Sequence, residues 1–325
     1  MNITVIVPVY NAALFLEETL GALLSQNFSD YEIVCIDDGS TDASPEILRR
    51  YATEHSAKLR VLTKENGGVH AARLCGIGAA HGEYITFCDA DDIPACNWLS
   101  EMYVKITNDN ADLCVCAFRR VLNGKPSPAE MCLSGSVDTT ANPEVFILIN
   151  TCLWNKLFKA SLFMDALPES AIRVSEDALF LAWLYRNVKR ISFVSEPLYD
   201  YRVYETSAIA NVTYEDFLAA ANALCDMSRC EKLAMLNGFA FVQLGIIFPL
   251  LTGSVRVYRE AKLLLDKNFP GWRNCVTLKI LRKSPYKSNL LKIYVALMCY
   301  RLRLFPLLIG VYNFAVKRLR VNIKW

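Results

Sequence analysis

The chain has 325 residues, of which 53% are hydrophobic and 21% are charged, so it is long and apolar enough to bury a substantial core. The formal net charge is only +2, which gives no overall signal for nucleic acid, and we expect no nucleic-acid partner. The 12 cysteines form no Cys-x-x-Cys pair and accompany three histidines, which argues against a zinc site and favours buried thiols in a reducing cytosol.

Apolar, β-branched runs alternate with helical patterns in the first part of the chain. The runs predict five strands, at residues 3–7, 32–36, 59–62, 84–88 and 113–118. Apolar residues at helical spacing predict four helices between them, at residues 14–24, 45–51, 69–80 and 98–106. This alternation predicts an α/β fold with a mostly parallel sheet and helices on both faces.

Polar clusters follow four of the predicted strands, at residues 8–11, 37–40, 64–68 and 89–92. In a parallel sheet these clusters all lie at the carboxyl ends of the strands, where open α/β sheets bind their ligands. The sequence therefore predicts a ligand site at this edge of the sheet.

The rest of the chain has a different character. Residues 123–142 are rich in Pro, Ser, Gly and Thr and predict a loop, and from residue 211 the pattern becomes helical. We therefore expect an α/β domain over residues 1–210 and a helical C-terminal region over residues 211–325.

Two segments of the C-terminal region bear on membrane contact. Residues 233–255 contain no charged residue, but Asn237, Gln243 and Pro249 favour a buried helical pair over a membrane-spanning helix. Residues 290–316 mix aliphatic and aromatic side chains with basic ones, which favours a helix lying on an anionic membrane surface. The alternative is a solvated helix that packs back on the α/β domain.

Asp89, Ala90 and Asp91 directly follow the fourth predicted strand. Two carboxylates separated by one residue can meet one divalent cation, and oxygen ligands suit Mn²⁺ or Mg²⁺. Such a cation would neutralise a diphosphate leaving group. The alternative is an Asp-rich turn that caps the next helix, and an isolated Asp-x-Asp favours that alternative.

Three further positions carry candidate chemistry. Asp38 could accept a hydrogen bond from a base or a ribose hydroxyl, or could only shape a turn. Gly67 and Gly68 allow close approach of the backbone, and Arg73 in the following helix could reach a phosphate. Asp177 precedes a helical apolar run, where it is either a partner of the helix dipole or a general base.

Taken together, these residues resemble the family 2 glycosyltransferases of the GT-A fold. Each motif is weak alone, but the ordered set is specific and spans roughly the first two-thirds of the chain. The matching segments read Val5-Ile6-Val7-Pro8-Val9-Tyr10-Asn11, Ile36-Asp37-Asp38-Gly39-Ser40-Thr41-Asp42, Glu65-Asn66-Gly67-Gly68-Val69 with Ala71-Ala72-Arg73, Gly82-Glu83-Tyr84-Ile85 leading to Asp89-Ala90-Asp91-Asp92, Trp154-Asn155-Lys156-Leu157-Phe158, and Glu176-Asp177.

The resemblance implies a Rossmann-like catalytic domain that moves a sugar, with inversion, from a nucleotide-linked donor, usually a UDP-sugar. By match to the family, Pro8, Tyr10 and Asp38 line the nucleobase and ribose pocket, and Arg73 lies near the base or the diphosphate. One departure is His70, which replaces a smaller residue and is expected to face solvent.

The family match also implies the roles of the acidic residues. Asp89 approaches the ribose with Ala90 beside it, Asp91 holds Mn²⁺ or Mg²⁺, and Asp177 is the catalytic base. The enzyme would be a metal-dependent hexosyl- or N-acetylhexosaminyl-transferase of bacterial cell-surface polysaccharide synthesis. Its acceptor would be a hydroxyl of a glycan or a lipid-linked molecule, reached from the cytoplasm by peripheral contact with the inner face of the membrane.

Two other functions compete with this one. A nucleotidyltransferase would need a Gly-rich loop with Lys or Arg after the first strand, whereas this chain has Pro8-Val9-Tyr10-Asn11 there. A catalytically inactive partner or scaffold subunit of the same fold is the alternative outside enzymes. The presence of Asp89, Asp91 and Asp177 together argues against it.

Overall fold

The computed structural model of the chain describes residues 1–165, 175–203, 212–230, 234–283 and 287–314. These residues form two compact units. The first comprises residues 1–140, 151–165 and 187–203, and the second comprises residues 141–150, 175–186 and the described residues from 212 onward. The expected domain boundary between residues 210 and 211 lies outside the described residues, so this division of the chain stays a prediction.

The first unit is built around a ten-stranded sheet. Its strands are β1 (Ile3–Val9), β2 (Tyr31–Asp37), β3 (Leu59–Thr63), β4 (Tyr84–Phe87), β5 (Ile93–Pro94), β6 (Leu113–Leu122), β7 (Lys125–Pro126), β8 (Gly135–Asp138), β9 (Lys156–Lys159) and β10 (Arg190–Val203). Its α-helices are α1 (Ala13–Leu24), α2 (Ser44–Glu54), α3 (Val69–Ala79) and α4 (Trp98–Asn108).

The sheet has the order β3-β2-β1-β4-β9-β6-β10-β5, with β7 paired to β6 and β8 paired to β10. β1 lies parallel to β2 and β4, β2 to β3, and β6 to β10. β9 is antiparallel to both of its neighbours, so β4 and β6 run in the same direction. The predicted mostly parallel sheet is confirmed, and β9 is an antiparallel strand that the pattern did not predict.

Helices cover both faces of this sheet, as predicted, because successive side chains of a strand point to opposite faces. Val5 and Val7 of β1 belong to the core cluster that includes residues of α1, α2 and α4. Ile6 points to the other face, towards α3, where a Cβ on Gly76 would lie 2.4 Å from Ile6 Cγ2. The missing side chain at Gly76 thus lets α3 pack directly on the sheet.

The segment over residues 123–142 is not the plain loop that its composition predicts, because it contains β7 and β8. β8 pairs antiparallel with the first residues of β10, on the side opposite β6. The backbone groups on that side of β10 would otherwise remain unpaired, so even a polar segment gains by joining the sheet there.

The second unit is helical, which confirms the predicted helical C-terminal region. Its α-helices are α5 (Glu176–Leu184), α6 (Tyr214–Cys230), α7 (Ala234–Ala240), α8 (Phe248–Thr252), α9 (Val255–Asn268), α10 (Leu278–Lys283), α11 (Lys287–Arg301) and α12 (Phe305–Asn313). A π-helical segment, Phe241–Ile247, joins α7 to α8, and 3₁₀ turns form at Pro143–Ile147 and Trp272–Asn274.

Residues 234–252 form one helical run, whereas the sequence predicts a helical pair in this segment. Pro249 has no N–H to donate to the Gly245 carbonyl, and the Tyr300 hydroxyl donates to that carbonyl instead. The run ends at Gly253 with φ +64°. The stretch Met235–Thr252 has the length and composition of a membrane-crossing helix, but 72% of it is buried inside the protein. The prediction that this apolar segment is buried is confirmed.

Candidate active site

The loops that follow β1 and β2 hold each other in place. The side-chain oxygen of Asn11 accepts a hydrogen bond from the Thr41 N–H at 2.8 Å, and Ser40 Oγ accepts one from the Asn11 N–H at 3.1 Å. Asp42 Oδ2 accepts from the Ala13 N–H at 3.0 Å and so supplies an acceptor at the start of α1. These bonds fix the backbone on either side of the predicted base pocket.

Pro8 and Tyr10, both predicted to line that pocket, differ in exposure. Pro8 is buried within β1, in register with Ile36 of β2. Tyr10 is the first residue beyond β1, and 54% of its surface is exposed. Tyr10 therefore offers an aromatic ring at the carboxyl edge of the sheet, whereas Pro8 can contribute only from beneath it.

Asp38 lies at the end of β2 with only 2% of its surface exposed. Its Oδ1 accepts hydrogen bonds from Lys64 Nζ at 2.6 Å and from the Gly67 N–H at 3.0 Å, and its Oδ2 accepts one from the Gly68 N–H at 2.8 Å. Gly68 has φ +86°, a conformation that glycine adopts without strain. The Asp38 carboxylate thus holds the glycine loop against the end of the sheet.

Arg73 and Asp89, which the family match assigns to the donor pocket, lie close together. The guanidinium of Arg73 lies 3.5 Å from Asp89 Oδ1, and the Asp89 N–H donates to the Tyr199 hydroxyl at 3.2 Å. Arg73 is buried, while the Asp89 side chain is 30% exposed. His70, one turn before Arg73, is buried as well, so the expectation that it faces solvent is wrong: it lies on the same packed face of α3.

The turn Asp89–Asp92 is held from α1 and from β10. Thr19 Oγ1 of α1 donates to the Ala90 carbonyl at 3.0 Å, and Asp92 Oδ1 accepts from the Arg202 N–H at 2.8 Å. The alternative in which this turn caps α4 is not observed, since Gln26 Oε1 accepts from the Leu99 N–H at the start of that helix. Asp91 itself is half-buried.

Negative charge is crowded in this turn. Burial raises the pKa of Asp91. Burial, and then repulsion from Asp89 and Asp91, raises the pKa of Asp92 well above its ordinary value. Within the described parts of the chain, Asp92 Oδ2 is buried and has no hydrogen-bond partner. A cation bound at this turn would stabilise the ionised carboxylates, because it would oppose both burial and the repulsion between them.

Arg202 offsets part of this charge, and its positive charge opposes the rise in the pKa of Asp91 that burial causes. Its guanidinium forms an ion pair with Glu18 of α1 and lies 5.2 Å from the centre of the Phe15 ring. Arg202 and Tyr199 are the site residues that the sequence analysis missed. No local pattern signals them, since β10 reaches the acidic turn only through its pairing with β6 and β5.

The motif around Trp154 packs against the part of β10 that contacts the acidic turn. The Trp154 ring stacks on Tyr199 at 4.6 Å and on Tyr201 at 5.1 Å between ring centres. Asn155 and Lys156 are fully buried: Asn155 Nδ2 donates to the Cys116 carbonyl, and Lys156 Nζ donates to Asn155 Oδ1 at 2.9 Å. These contacts fix β9 and the aromatic stack on which the acidic turn rests.

Asp177, the predicted base, is the second residue of α5 and is half-buried. It belongs to the second unit, whereas Pro8, Tyr10, Asp38, Arg73, Asp89, Ala90 and Asp91 belong to the first. Its position in the first turn of a helix fits both the role of dipole partner and the role of base. The role of Asp177 therefore stays a prediction.

The chain matches a family and several known proteins. A model of the family described as "Glycosyl transferase family 2" matches residues 4–149. The chain is 32% identical to the uncharacterized glycosyltransferase EpsJ of Bacillus subtilis, over 62% of this chain and 60% of EpsJ. It is 30% identical to the glycosyltransferase GlyG of Streptococcus pneumoniae, over 62% of this chain and 70% of GlyG. The chain spans less than half of several longer relatives.

Among solved structures, the chain resembles residues 1–349 of Staphylococcus aureus TarS in complex with UDP-GlcNAc. The TM-score is 0.63 at 23% identity, over 98% of this chain and 92% of that chain. This likeness shows the fold. It covers the ordered set of motifs and the helical C-terminal region alike.

Proposed function

Since the chain belongs to the family 2 glycosyltransferases of the GT-A fold, we propose that it moves a hexosyl or N-acetylhexosaminyl group from a UDP-linked donor to a hydroxyl group, with inversion. The acceptor is a glycan or a lipid-linked molecule of bacterial cell-surface polysaccharide synthesis, met at the cytoplasmic face of the membrane. The observation that carries the proposal is the crowding of Asp89, Asp91 and Asp92 at the carboxyl end of β4, beside Arg73.

The donor's nucleoside lies against the loops after β1 and β2. The exposed ring of Tyr10 stacks on the base, and the glycine loop held by Asp38 lets the backbone come close to the ribose and the phosphates. Arg73 supplies positive charge next to Asp89, which approaches the ribose hydroxyls. Ala90 has no polar side chain and contributes the backbone between the two carboxylates.

The acidic turn fits a divalent cation of the Mn²⁺ or Mg²⁺ type. Its possible ligands are carboxylate oxygens, and the carboxyl groups of Asp91 and Asp92 have raised pKa values. Asp92 Oδ2 lacks a hydrogen bond among the described residues. No group of three or more ligating side chains converges in the described part of the chain, so the donor diphosphate and water would complete the coordination. Asp91 would hold the cation, which when bound neutralises charge on the leaving diphosphate.

Asp177 acts on the acceptor. Its carboxylate takes the proton of the acceptor hydroxyl as the oxygen attacks the anomeric carbon and the bond to the diphosphate breaks. One displacement gives inversion and requires only one carboxylate base. Orientation of donor and acceptor supplies much of the rate, because it converts an encounter of two molecules into a reaction within one complex.

The proposal is tested with a panel of nucleotide sugars and Mn²⁺, by measuring sugar transfer or donor hydrolysis. We expect turnover of a UDP-sugar, and we expect Asp91→Ala to lower it by at least about 100-fold, because the diphosphate charge is no longer neutralised. Asp226→Ala, which removes an exposed carboxylate from α6, is the control and should retain activity. Unchanged turnover in Asp91→Ala would refute the metal assignment. Absence of turnover in the unaltered protein with any donor would favour an inactive partner subunit.

The base is tested with a matched pair of variants in the first turn of α5. Asp177→Asn should bind the UDP-sugar with a Kd close to that of the unaltered protein and should transfer sugar at least about 100-fold more slowly. Glu176→Gln removes the neighbouring negative charge and should retain transfer. Equal losses in the two variants would mean that both carboxylates only stabilise the helix, since the helix dipole interacts alike with either negative charge in its first turn.

A further inference from the structure

The end of the chain has a charge of its own. Residues 267–325 contain 13 Lys and Arg and no Asp or Glu. The remaining residues, 1–266, contain 22 Lys and Arg and 33 Asp and Glu, a net charge of −11. The small total charge therefore hides a strongly basic C-terminal segment, which attracts anions that the rest of the chain repels.

A cavity in the second unit gathers part of this positive charge. Its volume is about 200 Å³, and it is lined by Lys262, Trp272, Arg273, Tyr300, Arg301 and Arg303. Trp272 and Tyr300 are almost fully buried and pack edge to face at 5.5 Å between ring centres. Two packed aromatic rings and four cationic side chains thus line the cavity.

The cations of this cavity are only partly neutralised. Lys262 and Arg273 share one carboxylate, that of Asp266, at 2.8 and 2.6 Å. Arg301 donates to the Arg273 carbonyl, and Arg303 has no carboxylate partner among the described residues. The cavity keeps a positive excess in a place where guanidinium groups can form paired hydrogen bonds to phosphate oxygens.

Exposed apolar side chains border the cavity. Leu302 and Leu304 alternate with Arg301 and Arg303, and they are 61% and 44% exposed. The exposed large apolar residues of α12 and of the two positions that flank it recur at spacings of three and four, on the face opposite the buried Phe305 and Ile309. They are Leu304, Leu307, Val311 and Phe314. α12 therefore presents an apolar face to solvent.

The same pattern is found in α11. Leu291 and Val295 are exposed and separated by four residues, and Leu302 continues their face beyond the end of the helix. Lys292 and Arg301 are exposed at either side of that face. A helix surface made of aliphatic residues with basic residues along its borders has the composition of helices that lie in the interface of an anionic membrane.

We propose that α11, α12 and the cavity beside them form a docking surface for an anionic phospholipid membrane. The phosphate of a lipid head group occupies the basic cavity, and the exposed leucines, Val311 and Phe314 enter the interface. A lipid is favoured over a soluble anion because apolar residues and cations alternate directly at the cavity, from Arg301 to Leu304. The proposal does not depend on the proposed transfer reaction, since binding can be measured without turnover.

The test is co-sedimentation of the full chain with vesicles of phosphatidylcholine alone or mixed with phosphatidylglycerol. We expect binding to the anionic vesicles to be at least about tenfold stronger, because each basic residue at such a surface adds attraction. Raising the salt concentration should weaken this preference, since charges at a surface are screened. Equal binding to the two vesicles would refute the role of the basic cavity.

Two pairs of variants locate the surface. Arg303→Gln should weaken binding to anionic vesicles about fivefold, whereas Arg259→Gln, which removes an exposed charge from α9, should not. Leu307→Gln combined with Val311→Gln should reduce binding to vesicles of both compositions, whereas Val104→Gln on α4 should not. Thermal unfolding of each variant verifies that the fold is intact. Equal effects within either pair would overturn that part of the surface.

The same variants distinguish two other occupants of this surface, free phosphate and a second copy of the chain. Titration with inorganic phosphate at constant ionic strength, followed by calorimetry, reports a soluble anion. Binding that is lost in Arg303→Gln while vesicles are not bound would replace the lipid by free phosphate. A dimer that dissociates in the Leu307→Gln, Val311→Gln variant, without vesicle binding, would assign the apolar face to a second copy of the chain.

Discussion

Asp38 combines a predicted ligand role with an observed structural one. The sequence predicts that it lines the base and ribose pocket, and its carboxylate accepts hydrogen bonds from Lys64, Gly67 and Gly68. The two roles are compatible, because a carboxylate has about four acceptor sites and three are occupied here. Replacing Asp38 should therefore affect the glycine loop as well as donor binding, since the loop is held by this residue.

Asp38→Asn tests this double role. The amide nitrogen cannot accept from a backbone N–H, so we expect a loss of about 2 kcal/mol of stability, faster hydrogen exchange in residues 64–68 and a raised KM for the donor. Hydrogen exchange followed by mass spectrometry and donor kinetics measure the two effects. If donor binding is lost while exchange in the loop is unchanged, Asp38 contacts the ligand and does not hold the loop.

At the scale of elements, Glu32 joins three strands of the sheet. From β2, its Oε1 accepts hydrogen bonds from Thr4 Oγ1 of β1 at 2.8 Å and from the His81 N–H at 2.9 Å. Its Oε2 accepts two from Arg60 of β3. Burial alone would raise the pKa of Glu32, but the hydrogen bonds from His81, Thr4 and Arg60 outweigh burial and lower it.

A lowered pKa makes this junction sensitive to acid. The ionised carboxylate stabilises the fold above the ordinary value of 4.5, and this stabilisation is lost as the pH falls through the lower folded value. Glu32→Gln should therefore destabilise the protein by about 2 kcal/mol at neutral pH and by less in acid. Urea unfolding at several pH values measures both. A destabilisation that is the same at all pH values would mean that shape, and not charge, holds the junction.

At the scale of the molecule, the part of the fold that could be predicted consists of the strands and helices that alternate along the first part of the chain. β1 to β4 and α1 to α4 alternate along the chain, so periodicity and the polar strand ends were sufficient to place them and the acidic turn. β9 and β10 were not predicted: β9 is four residues long with a lysine at each end, and it inserts between β4 and β6. Tyr199 and Arg202 were missed with them, because their place at the turn depends on this distant pairing.

The cysteines of the first unit differ in burial and therefore in expected reactivity. The sequence predicts buried free thiols, and the cysteines that the structure describes are free. Cys35 of β2 and Cys116 of β6 are fully buried, and burial raises the pKa of each thiol to about 12. Cys96 and Cys132 are exposed. Because only the thiolate reacts, the buried pair should react by opening of the sheet and the exposed pair directly.

Labelling with iodoacetamide, followed by mass spectrometry, tests this at neutral pH. Cys35 and Cys116 should react at least about 1,000-fold more slowly than Cys96, because so little of each buried thiol is ionised. Urea below the unfolding midpoint should accelerate Cys35 and Cys116 by the same factor and leave Cys96 and Cys132 nearly unchanged. The common factor is expected because β2 and β6 belong to one sheet and become accessible in one cooperative opening. Acceleration of Cys116 without Cys35 would show that the β9–β6–β10 side of the sheet opens separately from β1 to β3.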